Sequence, residues 1–223
     1  MTIDTVINRI HEIGIVPVVR ASSADEARRA VDAICTGGIP IIEITMTVPD
    51  AANIIQQVVR QYGTTVLTGA GTIVTAAEAK MCLDAGAEFL VSPGLSTPVL
   101  QVAASRNKLA MPGALTPTEV IAALDGGATL IKVFPCGSVG GPKYLKALRA
   151  PFPGPRFIPT GGVNLSNAAE YIAAGAFALG VGADLVDLTA LRNNNAQGIV
   201  NTARALVEAV RAAREQQRSS VSA

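Results

Sequence analysis

The stretch Ala128-Thr129-Leu130-Ile131-Lys132-Val133-Phe134-Pro135 follows the turn-forming Asp125-Gly126-Gly127 and is rich in β-formers. An apolar run bounded in this way reads as a buried strand. Lys132 stands at its tail, and a strand covered on both faces leaves no comfortable place for an ammonium ion. Burial makes the charged form costly and lowers the pKa of a lysine. A lysine held partly neutral is a nucleophile that can form a Schiff base with a carbonyl compound. The competing reading is structural. Lys132 would then turn out to solvent or pair with a carboxylate, because lysine is almost never fully buried unpaired.

Seven similar runs occur on either side of this one: 15–20, 40–45, 65–70, 88–92, 109–112, 156–160 and 177–181. With 129–134 they make eight, and their ends lie about 20 to 26 residues apart, the length a strand plus a crossover helix needs. Amphipathic helical stretches fill the gaps, including Ser23–Ile34, Pro49–Arg60, Thr75–Ala85, Thr116–Leu124 and Ser166–Ala173. Thr75-Ala76-Ala77-Glu78 and Thr116-Pro117-Thr118-Glu119 carry a capping signature. Pairs such as Gly37-Gly38, Ala85-Gly86 and Ala174-Gly175 end the helices. Residues 2–13 read as an extra N-terminal helix, and 195–215 as a closing helix with a polar, frayed tail after Arg214. Eight βα repeats in one chain of this size predict a single α/β domain over 1–223, a (β/α)8 TIM barrel with the barrel proper at about 15–216. A doubly wound open sheet is the alternative. It would need a glycine fingerprint after the first strand, where the chain has Val19-Arg20-Ala21-Ser22.

Composition narrows the function. The 223 residues are 49% hydrophobic and 16% charged, with a formal net charge of +1. No basic stripe is interleaved with aromatics, so nucleic acid is not an expected partner. The apolar stretches are strand-sized, too short for a membrane span. Met1-Thr2-Ile3-Asp4 lacks the layout of a signal peptide. Cys35, Cys82 and Cys136 are odd in number and widely spaced, which fits a reducing cytoplasm. The single histidine, His11, rules out His-rich metal sites and disfavours a Ser-His-Asp triad. No metal or cofactor is expected. Catalysis must rest on Lys, Glu, Arg, Thr, backbone groups or bound phosphate.

In barrels of this kind the active site lies at the C-terminal ends of the strands. Three of those ends carry charges, Arg20, Glu43 and Lys132, which packing does not explain. Glu43 lies within Ile41-Ile42-Glu43-Ile44, either as a structural ion-pair partner of Lys132 or as a general acid/base beside it. Gly161-Gly162 and Gly180-Val181-Gly182, in the loops after strands seven and eight, suit phosphate binding, since glycine lets backbone N–H groups approach an anion. Tight turns with no ligand are the alternative.

Taken in order, these segments strongly resemble the class I 2-keto-3-deoxy-6-phosphogluconate (KDPG) and 4-hydroxy-2-oxoglutarate (KHG) aldolases. The matching segments are Ile15–Arg20, Ile42–Thr45, Gly69–Ile73, Ala85–Gly94, Met111–Thr116, Ile131–Pro135 and Pro159–Val163. The resemblance covers residues from about 13 to 188. It implies a barrel assembled as a homotrimer. Lys132 would form the Schiff base with a pyruvate-type keto acid, and Glu43 would relay protons through a water. Thr72, Pro93 and Phe134 would surround the pyruvate portion. Gly161, Gly162, Gly182 and Ala183 would hold a distal phosphate, with Arg20, Thr47 and Thr160 also contacting substrate. The products would be pyruvate and glyceraldehyde 3-phosphate.

Two positions depart from the gluconate-type pattern. Those enzymes carry an Arg where this chain has Thr47, and tend to carry a Ser where it has Ala183. Losing the serine removes a hydroxyl contact worth about 1 kcal/mol. Arg20 matches an Arg at the end of strand one in the related phosphogalactonate aldolases, whereas Pro159-Thr160-Gly161-Gly162 matches the gluconate type. A 2-keto-3-deoxy-6-phosphogalactonate or an unphosphorylated KHG aldolase therefore stays open. So does a non-catalytic phosphometabolite-binding barrel.

Overall fold

Strands that are apolar at consecutive positions need cover on both faces, and parallel sheets flanked by helices supply it. The computed structural model describes residues 1–221, and its elements alternate accordingly. Helix α1 (Ile3–Ile13) precedes β1 (Ile15–Val19), α2 (Ala24–Thr36), β2 (Ile41–Thr45), α3 (Ala51–Tyr62) and β3 (Leu67–Gly71). There follow α4 (Ala76–Asp84), β4 (Phe89–Val91), α5 (Thr97–Ser105), β5 (Leu109–Met111), β6 (Gly113–Ala114), α6 (Pro117–Asp125) and β7 (Leu130–Val133). The chain continues through α7 (Gly141–Arg149), β8 (Arg156–Pro159), α8 (Ala168–Ala173), β9 (Leu179–Val181), α9 (Leu188–Arg192) and α10 (Ala196–Val221).

Every strand pairing is parallel. One sheet runs β5-β4-β3-β2-β1-β9 and the other β6-β7-β8. The seam between β5 and β6 is Pro112. It has no N–H for a ladder, so β5 stops one residue short of the run expected at 109–112 and pairing resumes beyond that run, although the Pro112 carbonyl still accepts from Lys132 N at 3.0 Å. At the other seam Thr160 bridges in parallel to Gly180. The result is a curled parallel sheet with its helices outside.

Local chemistry explains the helix starts. Ser23 Oγ accepts from Glu26 N at the start of α2, and Thr75 and Thr116 form complete capping boxes with Glu78 and Glu119. These three helices each begin one residue inside the expected span, because the Ser or Thr is the cap and not the first turn. At the N-terminal ends of the strands, α1 buries Val6, Ile7 and Ile10, and Arg9 donates to the carbonyls of Thr64 and Thr65 at 2.8 Å each. Arg214 on α10 donates to the carbonyls of His11 and Phe177, tying the last helix to the same end.

The chain after Arg214 differs from expectation. Helix α10 continues to Val221, because Gln217 Nε2 donates to the Ile172 carbonyl at 2.7 Å and so has something to hold. The last two positions of the expected tail, 222 and 223, lie outside the described residues. No helix among the described residues is long and apolar enough to cross a membrane.

Replacing Thr116 by Ala removes the acceptor for Glu119 N and is expected to cost about 1 kcal/mol. A lowered denaturant midpoint at unchanged slope would show it, and an unchanged midpoint would mean that α6 gains nothing from its cap.

Candidate active site

Because all strands run the same way, their C-terminal ends gather on one face. Register places Val18 beside Glu43, Glu43 beside Gly69, and Lys132 between Gly113 and Ile158. With side chains alternating along each strand, Lys132 and Glu43 point inward and meet across the curled sheet. They line an interior cavity of about 10 Å³ with Thr160, Val91 and Met111. That is room for about one water.

Lys132 Nζ lies 3.9 Å from Glu43 Oε1, and the two side chains are only 4% and 3% exposed. The separation is too long for a hydrogen bond, and Oε1 has no hydrogen-bond partner. Burial pushes the Glu43 carboxyl above the usual carboxylate range, opposed by the charges of Lys132 and Arg20. Phe134 places its ring centroid 5.2 Å from Nζ, within cation–π reach. The Glu43 carboxylate fits because Gly71 has no side chain. A Cβ there would lie 1.9 Å from Oε1 and 2.5 Å from Cδ. Gly180 likewise clears space for Thr160, whose Oγ1 a Cβ would meet at 2.0 Å.

The rim is assembled from hydroxyls and turns. Thr45 Oγ1 is buried and donates to the Val19 carbonyl at 3.1 Å, while lying 2.6 Å from Thr47 Oγ1. A hydroxyl has one proton, so Thr47 is the donor in this pair and retains only acceptor lone pairs for anything above it. Thr72 sits at φ +58° directly after Gly71. A β-branched residue in the left-handed region is strained, and such strain persists where surroundings enforce it, often at functional sites. Ser92 Oγ donates to the Gly94 carbonyl at 2.7 Å and closes the turn around half-buried Pro93. Gly113 lets that turn approach, since a Cβ on it would lie 2.2 Å from the Pro93 oxygen.

Gly161 and Gly162 both have positive φ, +87° and +76°. Their carbonyls are held by the scaffold: Gly161 O accepts from Gly137 N, and Gly162 O from Asn167 Nδ2. Gly182 O accepts from Leu185 N and Val186 N, so a helical turn starts there, with Ala183 exposed upon it. Arg20 lies just past the end of β1, is exposed, and makes no hydrogen bond or ion pair among the described residues. No group of three or more His, Cys, Asp and Glu among the described residues is arranged to hold a metal ion.

The structure thus gathers the expected residues at one strand-end face, with Thr160 deeper, beside the buried pair. Sequence reading missed the pairing of Thr45 with Thr47 and the turn-closing bond of Ser92. It also missed the clearance given by Gly71 and Gly180. The one available signal was glycine recurring within or just after strand-like runs, as at Gly180 and Gly71.

Residues 6–202 match the family profile described as KDPG and KHG aldolase. A 2-dehydro-3-deoxy-phosphogluconate aldolase of Treponema pallidum is 36% identical over 169 residues, covering 76% of this chain and 80% of that relative. A 2-dehydro-3-deoxy-6-phosphogalactonate aldolase of Escherichia coli K12 is 33% identical over 175 residues, covering 78% and 85%. Among solved structures, the KDPG aldolase of Legionella pneumophila, with pyruvate captured at low pH as a covalent carbinolamine, superposes with a TM-score of 0.83. It is 28% identical and covers 90% of this chain and 97% of that one.

Replacing Gly71 by Ala is expected to push the Glu43 carboxylate away from Lys132 and, by overpacking, to destabilise the protein by about 1–3 kcal/mol. Thermal unfolding and turnover measured together check this, and a variant normal in both would show that Glu43 moves freely.

Proposed function

We propose, from the premise that the chain belongs to the KDPG and KHG aldolase family, that Lys132 and Glu43 are its catalytic pair. The reaction we assign is reversible cleavage of 2-keto-3-deoxy-6-phosphogluconate to pyruvate and glyceraldehyde 3-phosphate. The observation that carries this is the buried 3.9 Å approach of Nζ and Oε1. Lys132 Nζ attacks the C2 carbonyl, forming a C–N bond as the carbonyl electrons move to oxygen. Proton transfer to that oxygen and loss of water from the carbinolamine leave a protonated imine. The imine draws in the C3–C4 bonding electrons as the C4 hydroxyl loses its proton. The aldehyde departs and an enamine remains. Protonation of the enamine at C3 and hydrolysis of the imine release pyruvate and return the free lysine.

Each of these proton transfers requires a group that gives and takes a proton at one place. Glu43 suits that role, since burial raises its pKa toward the working range. The interior cavity can hold one relaying water between carboxyl and amine. Pro93, Thr72 and Phe134 surround the pyruvate half. The turns at Gly161-Gly162 and Gly182-Ala183 take the distal phosphate on backbone N–H groups. The curled sheet is a closed (β/α)8 barrel in this reading, and the resemblance supports a homotrimer. The three cysteines are unpaired, which suits a reducing cytoplasm. A second reading, cleavage of the phosphogalactonate epimer or of unphosphorylated 4-hydroxy-2-oxoglutarate, is favoured by Thr47 having no free proton and by Ala183 lacking a hydroxyl.

Incubation with pyruvate and borohydride, followed by intact-mass measurement and peptide mapping, is expected to find one reduced pyruvyl group on Lys132. Lys132→Ala should remain folded and take up none. An adduct on another lysine would remove the assignment.

Glu43→Gln is expected to lower turnover by about 10²–10⁴-fold while leaving pyruvate binding largely intact. The sign of the pH dependence follows from the raised pKa. Glu43 keeps its proton to higher pH than an ordinary carboxyl, so the limb where the base form appears lies above the usual value of 4.5. That limb should be missing from the profile of the variant, and an unshifted limb would assign it to another group.

A further inference from the structure

Next to the reacting centre, the end of β1 opens into a cavity of about 350 Å³ bounded by Val18, Arg20, Ala183, Asp187, Thr189 and Arg192. Val18 is the register partner of Glu43, so the cavity adjoins the buried pair on its β1 side. Its outer wall is α9, an element that the sequence motifs did not single out. Five residues of helix have little stability of their own, and α9 is held from outside. Arg192 donates through Nε to Glu26 Oε1 at 2.6 Å and through Nη2 to Ser22 Oγ at 3.1 Å. Glu26 Oε2 accepts from the N–H and hydroxyl of Ser22 at 3.0 and 2.6 Å. Arg29 donates to the Leu191 carbonyl at 2.7 Å and to Asn194 Oδ1 at 3.1 Å.

The charges around this cavity do not cancel. Arg192 is matched by Glu26. Asp187 is turned to cap α9, its Oδ1 accepting from Ala190 N at 2.9 Å. Arg20 makes no hydrogen bond or ion pair among the described residues, and the charge it faces is that of the buried Glu43. Hydrogen bonds from Arg192 and Ser22 lower the Glu26 carboxyl to about 2, so the clasp is intact at neutral pH. Its stabilisation would be lost only as pH falls from the ordinary carboxyl value toward that one.

We propose that α9 is a specificity element. The Arg192–Glu26 clasp holds it against the end of β1, so that Arg20, Thr189 and the Gly182–Ala183 turn enclose a pocket for the oxyanion on the aldehyde half of the substrate. The proposal rests on the aldolase reading and deepens it. Thr189 contributes a hydroxyl donor and Arg20 the charge. Arg192 is a positioning residue, acting through Glu26 and not on the substrate. A phosphate monoester and a carboxylate share the chemistry this pocket recognises.

The test is condensation of pyruvate with three aldehydes, glyceraldehyde 3-phosphate, glyoxylate and neutral glyceraldehyde, comparing kcat and KM. The wild-type enzyme is expected to prefer one anionic aldehyde over the neutral one. Arg192→Ala should lower that preference about tenfold, chiefly through KM, the size expected for a misplaced charge-assisted hydrogen bond. Arg192→Lys, which keeps the ion pair, should restore part of it. Thr189→Val, which leaves the clasp untouched, should lower the preference several-fold. A loss confined to glyceraldehyde 3-phosphate identifies a phosphate pocket, and a loss confined to glyoxylate a carboxylate pocket. An unchanged preference in both Arg192→Ala and Thr189→Val, or a wild-type enzyme indifferent to the anion, overturns the proposal. Absence of both condensation and a borohydride adduct in the wild type would instead overturn the aldolase reading.

Discussion

Two ionisable side chains lie 3.9 Å apart in an interior where each is almost wholly removed from water, and they share no hydrogen bond. Desolvating an amine and a carboxyl costs several kcal/mol per ion, and an ion pair recovers that only with close geometry and satisfied lone pairs. Neither condition holds here. The pair therefore subtracts from stability, and the surrounding fold must offset the loss. The surplus comes from the apolar layers. Val16, Val91, Met111 and Ile158 surround the pair inside the sheet, and helix-facing residues such as Ile42, Ile44, Ile131 and Val133 are fully buried behind it. A core that could drop the pair and gain stability by doing so has instead kept a space around it, cleared by Gly71 and Gly180.

That constraint explains why the residues at this face are small or turn-forming. Gly69, Gly71, Gly113 and Gly180 occupy strand positions where β-branched residues would otherwise give better packing. Each faces something that must come close: Phe89, Glu43, the Pro93 carbonyl and Thr160 respectively. Strand glycines weaken a sheet. Here they sit on a sheet pinned at both seams, by the Pro112 carbonyl and by the Thr160–Gly180 bridge.

Much of this could be read in the amino-acid sequence, for a physical reason. Burial on both faces writes a continuous apolar run, and an N-cap writes Ser or Thr with Glu three residues on. The runs around Ile15, Ile41 and Leu130 and the boxes at Thr75 and Thr116 could therefore be located without coordinates. Lys132 and Glu43 stood out because a charge inside such a run contradicts its surroundings. The rest was hidden because pattern reports a residue's environment and not its partner. Nothing local says that Thr47 donates a hydrogen bond to Thr45, that Gln217 prolongs α10 by reaching Ile172, or that a further short strand, β6, follows Pro112. The short α9 has no periodicity to betray it. Its position depends on Glu26, well over a hundred residues earlier.

In the proposed reading the same distinction separates chemistry from selectivity. Lys132 and Glu43 are on strands, where the ladder fixes their positions and any shift must strain a packed interior. Arg20, Ala183 and Thr189 are beyond the strand ends, on surface segments that can change without disturbing the core. A substrate must satisfy both. Its carbonyl has to reach an amine buried at a fixed depth, and its charged end has to find a cation outside. The side chains of Thr47 and Ala183 offer little to an anion, the first because its proton is engaged and the second because it has no hydroxyl. Electrostatic selection at this mouth would therefore fall on Arg20 and on whatever holds the opposite wall near it. That wall is α9, and in the proposed reading its attachment through Arg192 and Glu26 would make selectivity adjustable separately from the lysine chemistry.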